Sequence, residues 1–414
     1  MSKYPVEMLD EYIRLQEIVN DHQIRCVLQF ISQLDVNRLR AAIIRTIDFV
    51  PLLSCQYSVT DGQPCWQELP FNIYEALFIE SDNSIEDHYP KYFTKIPTNN
   101  SPQIIFQLIK RENNDVLIIN ANHMVFDGSG FKNYLYLLAS LYSDINKPVQ
   151  FASKIRSMDG LLKNIKSVQQ FASLFRKTLD TSKIDLLNED ENETEVRLGM
   201  LKISQEQAIK ISALCHRYQF TLNDFVLGLF ASSLFRVGNI TQPEKLSIQM
   251  MFDLRRYAHQ YPVSNFANFS SMESVELKKS ELSLIETVKE IGNQTNKIKS
   301  NLPGLKNVIL LNFLFHLLPL KRFDSMVAKT IQSLGVSTSN LGVIDEQRLV
   351  FSGCEIVECA MFTSIKNQPG LQLTFSTYKG SISLSILGNY SKTNWLTVER
   401  VLDAMKDLLQ ENGI

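Results

Sequence analysis

The chain has 414 residues, 44% hydrophobic and 21% charged, with a formal net charge of -2. That length passes the size at which one core stops growing, so two domains of about 200 residues each are expected. The near-neutral balance gives no electrostatic reason to expect nucleic acid or an acidic membrane as partner. Six cysteines (Cys26, Cys55, Cys65, Cys215, Cys354 and Cys359) make no CxxC pair and no Cys/His group with zinc spacing. Free thiols in a reducing cytoplasm, and no metal, are the expectation. The N-terminus MSKYPVEMLDEY lacks the apolar stretch of a secretory signal.

In chain order, Ile24 to Ile31 is predicted as a strand, and Asp35 caps a helix that turns Leu39, Ile43 and Ile47 to a core until Pro51 stops it. Leu53 to Val59 and Pro64 to Leu69 form a hairpin around Asp61-Gly62. Gln103 to Lys110 pairs with Val116 to Ala121, a continuous apolar run of the kind buried on both faces. Phe131, Leu135, Leu138 and Tyr142 then mark one face of a helix. Phe151 to Leu179 is amphipathic and helical in pattern, and 180–195 is polar, acidic and aperiodic. An N-terminal lobe (1–180), a linker (181–195) and a C-terminal lobe (196–414) follow from these features.

The second half opens with a strand from Val196 to Ile203. Ser204 with Gln207, and Thr221 with Asp224, are capping boxes for two helices, the second running Leu222 to Val237. Ser247 to Phe252 reads as a strand, and Leu284, Val288, Ile291, Thr295 and Ile298 mark a long helix. Val308 to Leu320, VILLNFLFHLLPL, is short of the roughly 20 residues of a membrane span and is interrupted by Asn312 and His316. A buried helix is expected there, with His316 structural and no integral membrane span. Leu371 to Tyr378 and Ser381 to Leu387 make a hairpin, and Asn394 to Gln410 closes as a helix.

Between the Val116–Ala121 strand and its following helix lie His123, Asp127, Gly128 and Gly130. A strand end feeding a helix start is where α/β sheets place ligands, and a histidine there can be neutral at pH 7 and accept a proton. His123 can equally be a satisfied histidine in a tight turn, and Asp127 a helix cap. By geometry, Asp127 either orients His123 as in a catalytic triad or points away. Gly128 either admits a substrate and unusual φ or simply starts the helix. His22, His216 and His259 have no comparable context, and nothing resembles a nucleophile elbow.

His123-Met-Val-Phe-Asp127-Gly128 resembles the HxxxDG signature of the chloramphenicol-acetyltransferase-like superfamily, which includes condensation domains of nonribosomal peptide synthetases and plant-type and stand-alone acyltransferases. Further strings are similar to that family in its own order: LDVNRLRAAIIRTIDFVPLLSCQY, TLNDFVLGLFASSLFRV, Asp253-Leu254-Arg255, and LGVSTSNLG. The Ser264 to Phe269 loop fits without the usual glycine. The resemblance implies two α/β lobes in a V with a central tunnel, His123 as general base, and Val308 to Leu320 as an alternative wall of a pocket for an apolar substrate. It implies an Asp127 turned away to pair with Arg255 (or else Arg256) in a bidentate contact, and a Gly128 beside the substrate. Ser337 and Ser339 become oxyanion donors, with Asn340 shaping the site. The donor would be acyl-CoA or a phosphopantetheinyl carrier protein, with no tightly bound cofactor, and the acceptor a small alcohol or amine.

Two departures bear on the branch. Asn122 stands where peptide-forming condensation domains carry a second histidine, and no DFGWG-like motif is present. With no appended carrier or adenylation region, a free-standing O- or N-acyltransferase is expected. The alternatives are a condensation enzyme joining carrier-bound substrates and a non-catalytic homologue that binds carrier proteins.

Overall fold

In the computed structural model, Asp115–Asn122 is the middle strand of a five-stranded sheet and is buried at every residue, which is why its sequence shows no polar alternation. The structure describes residues 2–85, 89–149, 153–174, 186–188, 193–238, 245–278, 282–331 and 335–414. The sheet order is Ile356–Phe362, Gln23–Phe30, Asp115–Asn122, Ile104–Lys110, Leu77–Ser81. The middle strand is antiparallel to both neighbours, Asn122 pairing with Gln23 and Ala121 with Ile104.

One face of this sheet packs on the helices Val36–Thr46 and Gly128–Ser143, where Leu39, Ile43, Phe131, Leu135 and Leu138 meet Leu117 and Ile119. The other face carries Val27, Val116, Ile118 and Phe362 against Tyr92 and Leu387. Each such side chain contributes about 1.5–3 kcal/mol on burial. Asp61 (φ 51) and Gly62 (φ 76) form the two-residue hairpin turn between Cys55–Thr60 and Gln63–Glu68, as its Asp-Gly sequence predicts. That hairpin pairs with Lys3–Pro5 in a small separate sheet.

The second large sheet runs Ser270–Lys278, Lys245–Asp253, Val336–Val343, Leu371–Tyr378, Ser381–Tyr390. Glu195–Ile203 lies along Ser381–Tyr390, and the short Lys366–Asn367 pairs with its far end. The helices Leu222–Val237, Leu284–Lys299 and Lys392–Glu411 contribute Phe225, Val288, Ile291, Val401 and Met405 to the core with Leu373 and Phe375. Both expected capping boxes are formed, and Asp224 also accepts from Thr295 at 2.7 Å.

Three features differ from expectation. Ile356–Phe362, a segment with no clear period, is a strand of the first sheet, antiparallel to Gln23–Phe30, so the sheets do not divide in chain order at 181–195. A bulge between Ile356 and Glu358 breaks its alternation. Residues 175–185 and 189–192, which include most of that linker and the end of the expected Phe151–Leu179 helix, lie outside the described residues; Met158–Leu162 and Ser167–Leu174 are short helices. Finally, the apolar helix Leu305–Leu317 is buried on one side only: Leu305 and Val308 are buried, Leu310, Phe313 and Leu317 are 48%, 61% and 62% exposed, and Val308 and Leu311 face a cavity. His316 Nδ1 donates locally to the Asn312 carbonyl at 2.8 Å. No single helix among the described residues is long and apolar enough to cross a membrane.

Candidate active site

His123 is the first residue past the end of the Asp115–Asn122 strand, and its amide donates to the His22 carbonyl at 2.9 Å on the neighbouring strand entry. The turn that follows is pinned from several sides. Asn122 Oδ1 accepts from the Met124 amide (3.0 Å) and its Nδ2 donates to Gln103 (2.7 Å). Asn268 Nδ2 donates to the Met124 carbonyl (2.8 Å), and Arg156 Nη1 to the Val125 carbonyl (3.1 Å). Asp10 holds both Asn268 (3.0 Å) and Arg156 (3.1 Å). The side chain at the stand-in position for a second histidine is therefore used to shape the turn.

Asp127 faces away from His123. Its Oδ1 caps the Gly128–Ser143 helix through the Gly130 amide (2.7 Å), and its Oδ2 accepts from Arg255 Nη1 (2.8 Å) and the Phe269 amide (2.8 Å). Burial pushes its carboxyl upward, but Arg255 and the two amides outweigh this and hold it below the usual range. Arg255 contacts Asp127 through one nitrogen, not two; its Nη2 donates to the Ala267 carbonyl at 2.7 Å and its Nη1 also reaches Asp253 at 3.2 Å. The expected bidentate pair is thus a single contact, because Asp127 spends its other oxygen on the helix cap. Arg256 stacks on Tyr257 instead.

A cavity of about 430 Å³ opens between the two large sheets. From the first come His123, Asp127, Gly128 and Ser129; the second supplies Met251, Ser271, Ser339, Asn340 and Gln372. Leu9, Ile13, Val308 and Leu311 form an apolar wall, and Thr363, Ser364 and Lys366 line another side. Ser339 and Asn340 reach the cavity, whereas Ser337, buried two residues earlier on the same strand, does not line it. Asn340 is engaged with Asn223 (3.3 Å) and the Gly342 amide (2.8 Å). The Ser339 hydroxyl has no hydrogen-bond partner among the described residues.

Burial pushes the His123 imidazole below its ordinary range, aided by Lys366 and opposed by its own carbonyl and the Asp127 charge. It is therefore neutral at pH 7 and able to accept a proton. Gly128 starts the helix without positive φ; a Cβ there would meet Leu341 Cδ2 at 2.6 Å. Gly130 is the more constrained, since its Cβ would lie 3.1 Å from the Ala267 carbonyl oxygen and 3.1 Å from Phe126 Cβ. Among the described residues no group of three or more His, Cys, Asp or Glu side chains is placed to hold a metal.

Residues 267–411 match the WS/DGAT C-terminal domain family. Over the whole chain the structure is similar to polyketide synthase associated protein 5 from Mycobacterium tuberculosis (15% identity, TM-score 0.68, covering 99% of this chain and 100% of that one). It is also similar to the first condensation domain of the CDA synthetase (13% identity, TM-score 0.69, 99% and 96%).

The chain has the chloramphenicol-acetyltransferase-like fold.

Within this fold the trichothecene 15-O-acetyltransferase of Fusarium sporotrichioides is a further match (12% identity, TM-score 0.69, 98% and 94%). Curated protein sequences give no significant match. Sequence reasoning missed Asp10, Arg156 and Asn268, which come from three distant segments to brace the turn, and Lys366, whose local context (TSIKNQP) carries no motif.

Proposed function

We propose that this chain is an acyltransferase that moves an acyl group from a pantetheine thioester directly to the hydroxyl or amine of a small acceptor, with His123 as general base. The observation that carries the reading is a neutral imidazole in the cavity between the sheets, with the following aspartate turned to a structural arginine. The family match over residues 267–411 and the acyltransferases and condensation domains among the similar structures support the same chemistry.

His123 takes the proton of the acceptor as its oxygen or nitrogen attacks the thioester carbonyl. The carbonyl oxygen becomes an oxyanion, for which the unpartnered Ser339 hydroxyl is an available donor. Collapse expels the thiolate, and the imidazolium returns its proton to the sulfur. The apolar wall of Leu9, Ile13, Val308 and Leu311 suits an acyl chain. The donor is acyl-CoA or a phosphopantetheinyl carrier protein in cytoplasm; the condensation domains among the similar structures favour the second as the alternative.

Thiol release from acetyl- to long-chain acyl-CoAs, with simple alcohols and amines, tests this. Turnover should require an acceptor, fall by ~10²–10⁴-fold in His123→Ala, and decline on the acid side below pH 6.5, the ordinary imidazole value from which His123 is lowered. Full activity in a folded His123→Ala protein refutes the mechanism. Silence with every CoA thioester and release from a carrier-bound donor selects the alternative.

A further inference from the structure

Lys366 is 5% exposed, yet it lines the same cavity as His123. Among the described residues it is the only lysine or arginine that lines it. A buried ammonium is stable only with a compensating partner, and no hydrogen bond or ion pair to its nitrogen is formed among the described residues. Asp21, the one carboxylate acting on it, is already occupied. Asp21 pairs with Arg25 through both oxygens and also accepts from the amides of Ile365 (2.8 Å) and Gln23 (3.3 Å).

The surroundings of Lys366 are those of an anion site. Ser364 lies two residues before it, and Gln372 lines the same cavity from the Leu371–Tyr378 strand, one strand removed from Lys366–Asn367 in the sheet. Thr363 donates to Gln372 Oε1 at 2.9 Å, which leaves the Gln372 amide nitrogen as a donor with no partner among the described residues. Among the described residues two acids line the cavity, and both are used: Asp127 by Arg255, and Asp253 by Ser129 and the Arg255 amide. Lys366 also lies near enough to His123 to depress its protonation.

We propose that Lys366, with Ser364 and Gln372, forms a subsite for a carboxylate carried by the acyl acceptor, so that the acceptor is a hydroxy- or amino-carboxylic acid whose nucleophile rests on His123. The inference rests on the acyl-transfer reading for its use of the word acceptor; the anion site itself does not depend on turnover. Burial holds the ammonium down to about 8. The other titratable groups around it are His123, Asp21 with its partner Arg25, and, next to Asp21, His22; Tyr12 also lines the cavity. Burial keeps both imidazoles neutral and pushes the Tyr12 phenol up from 10. Lys366 is thus the group that changes charge near pH 8.

The test uses the full chain and 3-hydroxy and 3-amino acids of four to twelve carbons, each beside its primary amide. Binding is measured by ligand-observed NMR on wild type, His123→Ala and Lys366→Met. At least one acid should bind tenfold or more tightly than its amide at pH 7 in wild type and in His123→Ala, and Lys366→Met should erase that preference. In wild type the affinity for the acid should fall tenfold or more between pH 7 and 9.5 while that for the amide stays level, a readout that needs no substitution. Lys366→Met should also melt higher than wild type, because it removes a buried charge. No acid exceeding its amide overturns the proposal. So does a preference that survives in Lys366→Met, or one in which that variant weakens acid and amide alike, which would assign the ammonium to the reacting centre. Carboxylate binding without thiol release from any donor would leave this site standing and refute the acyl-transfer reading.

Discussion

Arg255 Nη1 donates to Asp127 Oδ2 at 2.8 Å, joining the turn after the central strand of one sheet to the loop that leaves the Lys245–Asp253 strand of the other. The same carboxylate caps the helix that follows His123. The carboxylate four residues after the base therefore ties the two sheets together through hydrogen bonds, and it acts on the imidazole only through its charge.

Removing one member of this pair leaves the other buried without its charge. Asp127→Ala or Arg255→Ala should lose about 3–5 kcal/mol, together with rate, read by chemical denaturation and thiol release. Arg255→Lys should fail to restore it, since one ammonium cannot serve Asp127, Ala267 and Ser264 at once. The sign with pH follows from the lowered carboxyl. Asp127 contributes stability above its unfolded value of 3.8, and that contribution is lost as pH falls through its lower folded value. Asp127→Asn should flatten that acid limb. A variant that melts like wild type and keeps its rate would remove the structural role.

Ser337 and Ser339 share one face of a strand, but only Ser339 reaches the cavity. Ser339→Ala should lower kcat by ~10²-fold or more with little change in melting temperature, as expected for one oxyanion donor. Ser337→Ala should leave kcat unchanged. Equal loss in both would place the oxyanion elsewhere.

Two glycines of the signature turn should respond in opposite ways. A Cβ at Gly130 meets main-chain atoms of Ala267 (3.1 and 3.3 Å) that cannot rotate aside. Gly130→Ala should destabilise by about 1–3 kcal/mol. At Gly128 the obstacle is a Leu341 methyl, which can turn away into the cavity. Gly128→Ala should therefore change KM more than stability. Thermal melts beside steady-state kinetics separate the two.

What the sequence made legible was local. Capping boxes at Ser204 and Thr221, the Asp61-Gly62 turn and the strand-to-helix junction at His123 are each written in adjacent residues, and each forms. The Ile356–Phe362 strand was not, because its partner Gln23–Phe30 lies more than 300 residues away and a bulge blurs its period. The bracing of the turn by Asp10, Arg156 and Asn268 is equally non-local. The apolar helix Leu305–Leu317 was legible in part: its composition signals burial, and Leu305 and Val308 are buried with Val308 and Leu311 on the cavity, but nothing in its sequence marks Leu310, Phe313 and Leu317 as exposed.

His22 gives a test that does not depend on the reaction. It sits at φ 42, is 1% exposed, and its carbonyl anchors the His123 amide. Burial pushes its imidazole down to about 4 from 6.5, partly offset by Glu17 and Asp21. Between those values the unfolded chain binds the proton and the folded chain does not. The stability His22 permits is therefore complete above pH 6.5 and is lost as pH falls towards 4, by up to ~3 kcal/mol. His22→Asn keeps a residue suited to positive φ and removes the titration. Denaturant unfolding of the variant at pH 4 to 7 should show a shallower loss of stability on acidification than wild type. An unchanged slope would mean that the imidazole already takes its proton in the folded protein.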